Sequence, residues 1–133
     1  MSANELSLSE LEALARQENV RGKTIDCLLA LQSDDEEVRT WASEALSGSI
    51  EPSADEEEEM AGLLESVLYA GEEGESWDAL AVDQLYWTAT MLGRLNHLDP
   101  STKQVLQELA ESAFTTLAPA AKRARSVIER MRD

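Results

Sequence analysis

The sequence predicts an all-α fold of about seven helices, and three observations predict it. Apolar residues recur at helical spacing through most of the chain, and no stretch alternates apolar with polar residues long enough for a half-buried strand. Aromatic residues make up only 5% of the chain, so its core is built from Leu, Ala, Val and Met, which favours packed helices over a sheet. Helix-start signals recur along the chain at short intervals. With 133 residues and 43% apolar content, one domain spanning 1–133 is expected to bury roughly two-thirds of its unfolded surface.

The helices follow from their caps. Ser7 with Glu10, or Ser9 with Glu12, offers a capping box ahead of Leu11, Leu14 and Ala15, predicting a first helix over 8–18. "NVRGK" interrupts it. A second helix, 23–32, carries Ile25, Leu28, Leu29 and Leu31, and "SDD" at 33–35 caps a third that ends near Ser47 and Gly48. Val38, Trp41, Ala42, Ala45 and Leu46 form its core stripe.

Ser53 and Glu56 form a second capping box. The glutamates that follow are read as complementing the helix dipole or facing water, since no calcium-loop spacing is present. Met60, Leu63, Leu64, Val67 and Leu68 make the next stripe, which ends at "GEEG" in 71–74. A long helix covers 77–96, and Asp99 with Pro100 starts another, in which Val105, Leu106, Leu109 and Ala113 face inward. Pro119 opens the last, with Ala120, Ala124, Val127, Ile128 and Met131 at helical spacing.

Self-comparison gives the organisation. A shift of 46 residues lays "VRTWASEALSG" of 38–48 on "QLYWTATMLGR" of 84–94, matching Trp41 with Trp87, Ala42 with Thr88, Ala45 with Met91 and Leu46 with Leu92. A further 36 residues bring in Ala124, Val127 and Ile128. "SDDEEVRTWASEAL" resembles the second-helix signature of HEAT repeats, and "YWTATMLGRL" resembles it with the Leu-Gly-x-Leu ending.

The resemblance covers residues 20–132. It implies an α-α superhelix of antiparallel pairs: a capping helix at 8–18, then repeats at 23–47, 54–96 and 100–132. The family's interior Asp and Arg are matched by Asp34 and Arg39, but Leu80 and Leu85 stand 46 residues on, so that ladder is interrupted, while Gly93 permits close helix approach.

Charge and chemistry narrow the function. Residues 1–80 hold 21 acids and 4 bases, a charge of −17, and residues 81–133 hold 6 acids and 7 bases, a charge of +1. Such a surface repels phosphate backbones and anionic lipid heads, so neither nucleic acid nor membrane is expected as a direct partner, and a basic protein or peptide remains open. The start lacks a basic n-region and an apolar h-region, which predicts a cytoplasmic protein.

Cys27, the one cysteine, lies among apolar residues and is read as an inert buried thiol. His97, the one histidine, limits any triad or paired His-Glu iron site, and no phosphate loop or Cys-x-x-Cys occurs. No catalytic residue, metal ligand or cofactor is assigned.

The favoured function is a non-enzymatic protein-protein interaction module or adaptor, a scaffold binding a protein or peptide on its concave face or acidic half. The resemblance places second helices on the concave surface, where Arg39, Ser43, Tyr86, Thr90, Arg94, Lys122 and Arg125 point away from the core stripe. Trp77, after the acidic loop, is the best exposed-aromatic candidate. Two alternatives are an acidic decoy mimicking nucleic-acid charge and a helical-repeat enzyme subunit or chromophore-handling protein. Lys122, Arg123, Arg125, Arg130 and Arg132 on the last helix suggest a monomer or a weak, salt-dependent dimer with the acidic half of another copy.

Overall fold

A computed structural model describes residues 7–74 and 76–131, and every regular element among them is helical. The helices are α1 (Leu8–Ala15), α2 (Thr24–Ala30), α3 (Glu36–Glu44), α4 (Glu57–Gly74), α5 (Ala79–Leu92), α6 (Pro100–Ala110) and α7 (Ala118–Arg130). Arg132, counted with the basic residues of the last helix, lies outside the described residues.

Of the two candidate boxes at the start, the chain uses Ser7 and Glu10. Ser7 Oγ accepts from the Glu10 amide at 3.2 Å, and Glu10 Oε1 accepts from the Ser7 amide at 3.1 Å. These bonds hold the Glu10 carboxyl below its ordinary range. After α1 the backbone turns left-handed at Asn19 (φ 55°) and Gly22 (φ 81°), which ends any continuous helix through "NVRGK". The same loop is tied to the exit of α3: Val20 N donates to Ser49 O and Glu51 N to Val20 O, each at 2.9 Å.

α3 is capped by Asp35, whose Oδ1 accepts from the Glu37 amide at 2.9 Å. Its α geometry stops at Glu44, and a π-helical turn, Ala45–Ser49, carries the chain out. The Ser53–Glu56 box forms as the sequence predicts and leads through a 3-10 turn into α4.

The acidic run that starts with Glu56 departs from expectation. Glu56 accepts from Thr24 N at 3.1 Å and from Thr24 Oγ1 at 3.0 Å. Glu57 is buried, and its Oε2 accepts from Asp99 N at 2.8 Å and Thr102 Oγ1 at 2.7 Å. Lys23 and Asp99, which stand at the N-caps of α2 and α6, supply no side-chain cap of their own. Two adjacent carboxylates therefore cap two different helices, correcting the reading of this run as simple dipole complement and solvated face.

α4 ends at Gly74, within "GEEG". The Trp77 indole folds back on Gly71 so closely that a Cβ there would overlap the ring. Its Nε1 donates to Val67 O at 3.2 Å, and its ring meets Phe114 edge-on at 4.8 Å. Trp77 is only 6% exposed, so the expectation of an exposed aromatic is corrected: the indole is covered because its N–H finds a helix carbonyl.

α5 packs against α4, α7 and α2, while α6 packs against α7 and α4. α1 and α2 both rest on α3. Burial follows the 46-residue register: Ala42 and Thr88, Ala45 and Met91, and Leu46 and Leu92 are all fully buried, and Trp41 and Trp87 are both half-buried.

Where the expected Asp-Arg ladder is interrupted, glutamines join α2 to α5 instead. Gln84 Nε2 donates to Leu28 O at 3.0 Å and Gln32 Nε2 to Leu80 O at 2.9 Å. Two expected core residues lie outside: Leu29 is 47% exposed, and Ala113 is exposed because α6 ends at Ala110.

Candidate functional site

The chain approaches α7 closely at Gly93, just past the end of α5, where a Cβ would stand 2.7 Å from both Val127 Cγ2 and Arg130 Nη2. Beside this contact the two helices leave a cavity of about 250 Å3 lined by Ser47, Tyr86, Trp87, Thr90, Arg94, Arg123, Val127 and Arg130. Helical periodicity presents Tyr86, Thr90 and Arg94 from α5 and its C-terminal end, at i, i+4 and i+8, and Arg123, Val127 and Arg130 from α7.

Three guanidiniums meet here, each oriented by the protein. Arg94 reaches back to the π-helical turn, its Nη1 donating to Leu46 O at 2.7 Å and Ile50 O at 3.2 Å and its Nη2 to Ser47 O at 3.1 Å. The Leu46 and Ser47 carbonyls lie in the turn that ends α3, and Ile50 is the extended residue after it. Arg123 Nη2 donates to Tyr86 Oη at 2.8 Å, and Arg123 Cζ lies 5.1 Å from the Tyr86 ring centroid. Arg130 Nη2 donates to Gly93 O.

Among the described residues none of the three has a carboxylate partner; the ion pairs there use Arg16, Arg21 and Lys23. Burial, and then the positive charge of Arg123, push the Arg94 guanidinium below its ordinary value.

The pocket's hydroxyls are engaged with the backbone or with Arg123. Thr90 Oγ1 donates to Tyr86 O at 2.8 Å and Ser47 Oγ to Glu44 O at 3.0 Å. Trp87 stands edge-on to Tyr86 at 5.3 Å. The wall holds cations, hydroxyls and aromatic surface but no carboxylate, imidazole or thiol to take a proton. Its chemistry suits binding of an anionic group beside an apolar one. Among the described residues, no three His, Cys, Asp or Glu side chains come together as a metal ligand set.

Of the residues singled out in the sequence, Tyr86, Thr90 and Arg94 are brought together here. The others are not. Arg39 Nη1 donates to Ser33 O at 2.6 Å, Arg125 Nη1 caps α6 at Ala110 O at 2.8 Å, Ser43 is half-buried on α3, and Lys122 is exposed on α7. Sequence reasoning missed Ser47, Trp87, Arg123, Val127 and Arg130. The spacing of Arg123, Val127 and Arg130 at i, i+4 and i+7 is a same-face signal that marks the last three, but nothing local says that this face meets α5.

Comparison with protein families, characterised proteins and solved structures finds no match. The class that fold and site define is an all-α protein of packed helices with a guanidinium-lined pocket between its fifth and seventh helices.

Proposed function

We propose that the chain is a non-enzymatic interaction module of HEAT-like helix pairs that docks a protein or peptide on the α5–α7 face. One observation carries this reading: three positioned guanidiniums face a pocket with aromatic walls and, among the described residues, no carboxylate. Arg and aromatic side chains are the groups enriched at protein-binding hot spots. The packing of α2 on α3, α4 on α5 and α6 on α7 supports the division into repeats, as does the equal burial at positions 46 residues apart.

The α5–α7 face is preferred to the acidic half because two of the acids there, Glu56 and Glu57, are turned inward as helix caps. A cytoplasmic location belongs to the same proposal, supported by the buried free thiol of Cys27. No described helix is long and apolar enough to cross a membrane.

Affinity capture from native lysate tests the reading, with wild type, Tyr86→Ala, Arg123→Ala and the surface control Lys103→Ala compared side by side. A partner held by wild type and the control and lost from both pocket variants is the expected result. Undiminished capture by Tyr86→Ala and Arg123→Ala would remove this face from consideration.

A further inference from the structure

We propose that the α5–α7 pocket is a phosphomonoester site, taking one phosphorylated side chain of the docked partner. The peptide carrier rests on the docking reading above; the anion chemistry rests on the pocket alone. Arginine is permanently charged, and three of them gathered with no counter-ion among the described residues repel one another. In a chain with 27 acidic residues, carboxylates were available to neutralise them, yet none does so among the described residues. An incoming anion relieves that repulsion.

The guanidiniums are also preorganised, since the carbonyls of Leu46, Ser47, Ile50 and Gly93 and the Tyr86 hydroxyl fix their positions. Arg123 and Arg130 each use a single Nη2 contact in this way, leaving most of their N–H donors for a ligand.

The number of cations decides between anions. A carboxylate is satisfied by one bidentate guanidinium, whereas a phosphomonoester presents three terminal oxygens and a charge of about −1.5 to −2. Three guanidiniums from two sides match the second. Overall charge decides the carrier: at −16 the protein repels nucleic acids and acidic runs, so the fitting ligand is a single phosphate on a neutral or basic segment. Size agrees. At about 250 Å3 the pocket falls below the roughly 300–1,000 Å3 of sites that enclose a drug-sized molecule, so it fits a group instead of a whole cofactor. Tyr86, Trp87 and Val127 give that group's carbon atoms an apolar wall.

The test is an NMR titration of the full chain at constant ionic strength with inorganic phosphate, phenyl phosphate and benzoate. A lysine-flanked phosphotyrosine peptide and its unphosphorylated form complete the series. The expected result is saturable shifts confined to residues 86–94 and 123–130, strongest for phenyl phosphate and the phosphopeptide and at least tenfold weaker affinity for benzoate. Arg123→Gln and Arg130→Gln should each weaken phenyl phosphate binding at least tenfold, with Arg125→Gln, outside the pocket, unchanged.

Absence of saturable shifts with both phosphates, equal affinity for benzoate, or equal weakening by Arg125→Gln overturns the site. Should a pocket variant fail to fold, the map of shifts on wild type decides by its location. Phenyl phosphate binding with no preference for the phosphorylated peptide over its unphosphorylated form supports the anion site and overturns only the peptide carrier. Peptide docking without any phosphate effect does the reverse.

Discussion

Glu57 Oε2 accepts a hydrogen bond from the Thr102 hydroxyl at 2.7 Å, so the first turn of α4 holds the first turn of α6. The same oxygen takes the Asp99 amide at 2.8 Å. The bond joins two helices that pack against each other, and it is shielded from water because Glu57 is only 7% exposed. Replacing Glu57 by Ala leaves two donors near the α6 start without their acceptor. We expect a loss of about 1.5–3 kcal/mol in urea unfolding, against about 0.5 kcal/mol or less for exposed Glu58→Ala. Equal effects at the two positions would show that the cap contributes nothing.

Arg94 should behave first as a structural residue. Its three carbonyl bonds close the π-helical turn at the end of α3, so Arg94→Ala is expected to destabilise the fold by about 2 kcal/mol. Arg94→Lys should recover only part of this, since one ammonium cannot span carbonyls that a planar fork reaches. Thermal unfolding of the two variants separates these outcomes, and a fully stable Arg94→Ala protein would contradict the assignment.

Gly71 is the seat of Trp77. Any side chain there must displace the indole from the α4 surface, so Gly71→Ala is expected to cost about 1–3 kcal/mol. It should also shift part of the tryptophan emission to longer wavelength as Trp77 meets water. Gly62→Ala, with open space at its Cβ, is the control and should leave the spectrum unchanged.

Cys27 titrates far from its ordinary 9.0, because burial and then the neighbouring Asp26 charge push its thiol up to about 12. Below 9.0 the thiol is neutral in both folded and unfolded chains. Between 9.0 and about 12 only the unfolded chain releases the proton, so this group's contribution to stability falls as pH rises through that window. Denaturation midpoints should therefore decline less steeply with pH in Cys27→Ala than in wild type. Ellman's reagent at about pH 8 should modify the native protein only after unfolding, and rapid native modification would refute the buried-thiol assignment.

The sequence by itself determined the all-α class, the number of helices and much of the buried register. Those properties come from local periodicity and capping chemistry, which each segment carries in its own residues: Ser53 with Glu56, Asp99 with Pro100, or the equal burial of Leu46 and Leu92. Only the tertiary structure decided how the polar residues are used. Glu57 read as solvated because the Asp99 amide and Thr102 hydroxyl it binds lie 42 and 45 positions away, the Thr24 amide that Glu56 also caps lies 32 away, and Trp77 read as exposed because its cover comes from Gly71 and Phe114.

Three of the eight pocket residues were likewise legible, in the spacing of Tyr86, Thr90 and Arg94. Arg123 and Arg130 enter it only because α7 crosses α5 at Gly93. A helix sequence states which residues share a face. Which face meets which is settled by packing across the whole chain, and that is what turned scattered arginines into a site.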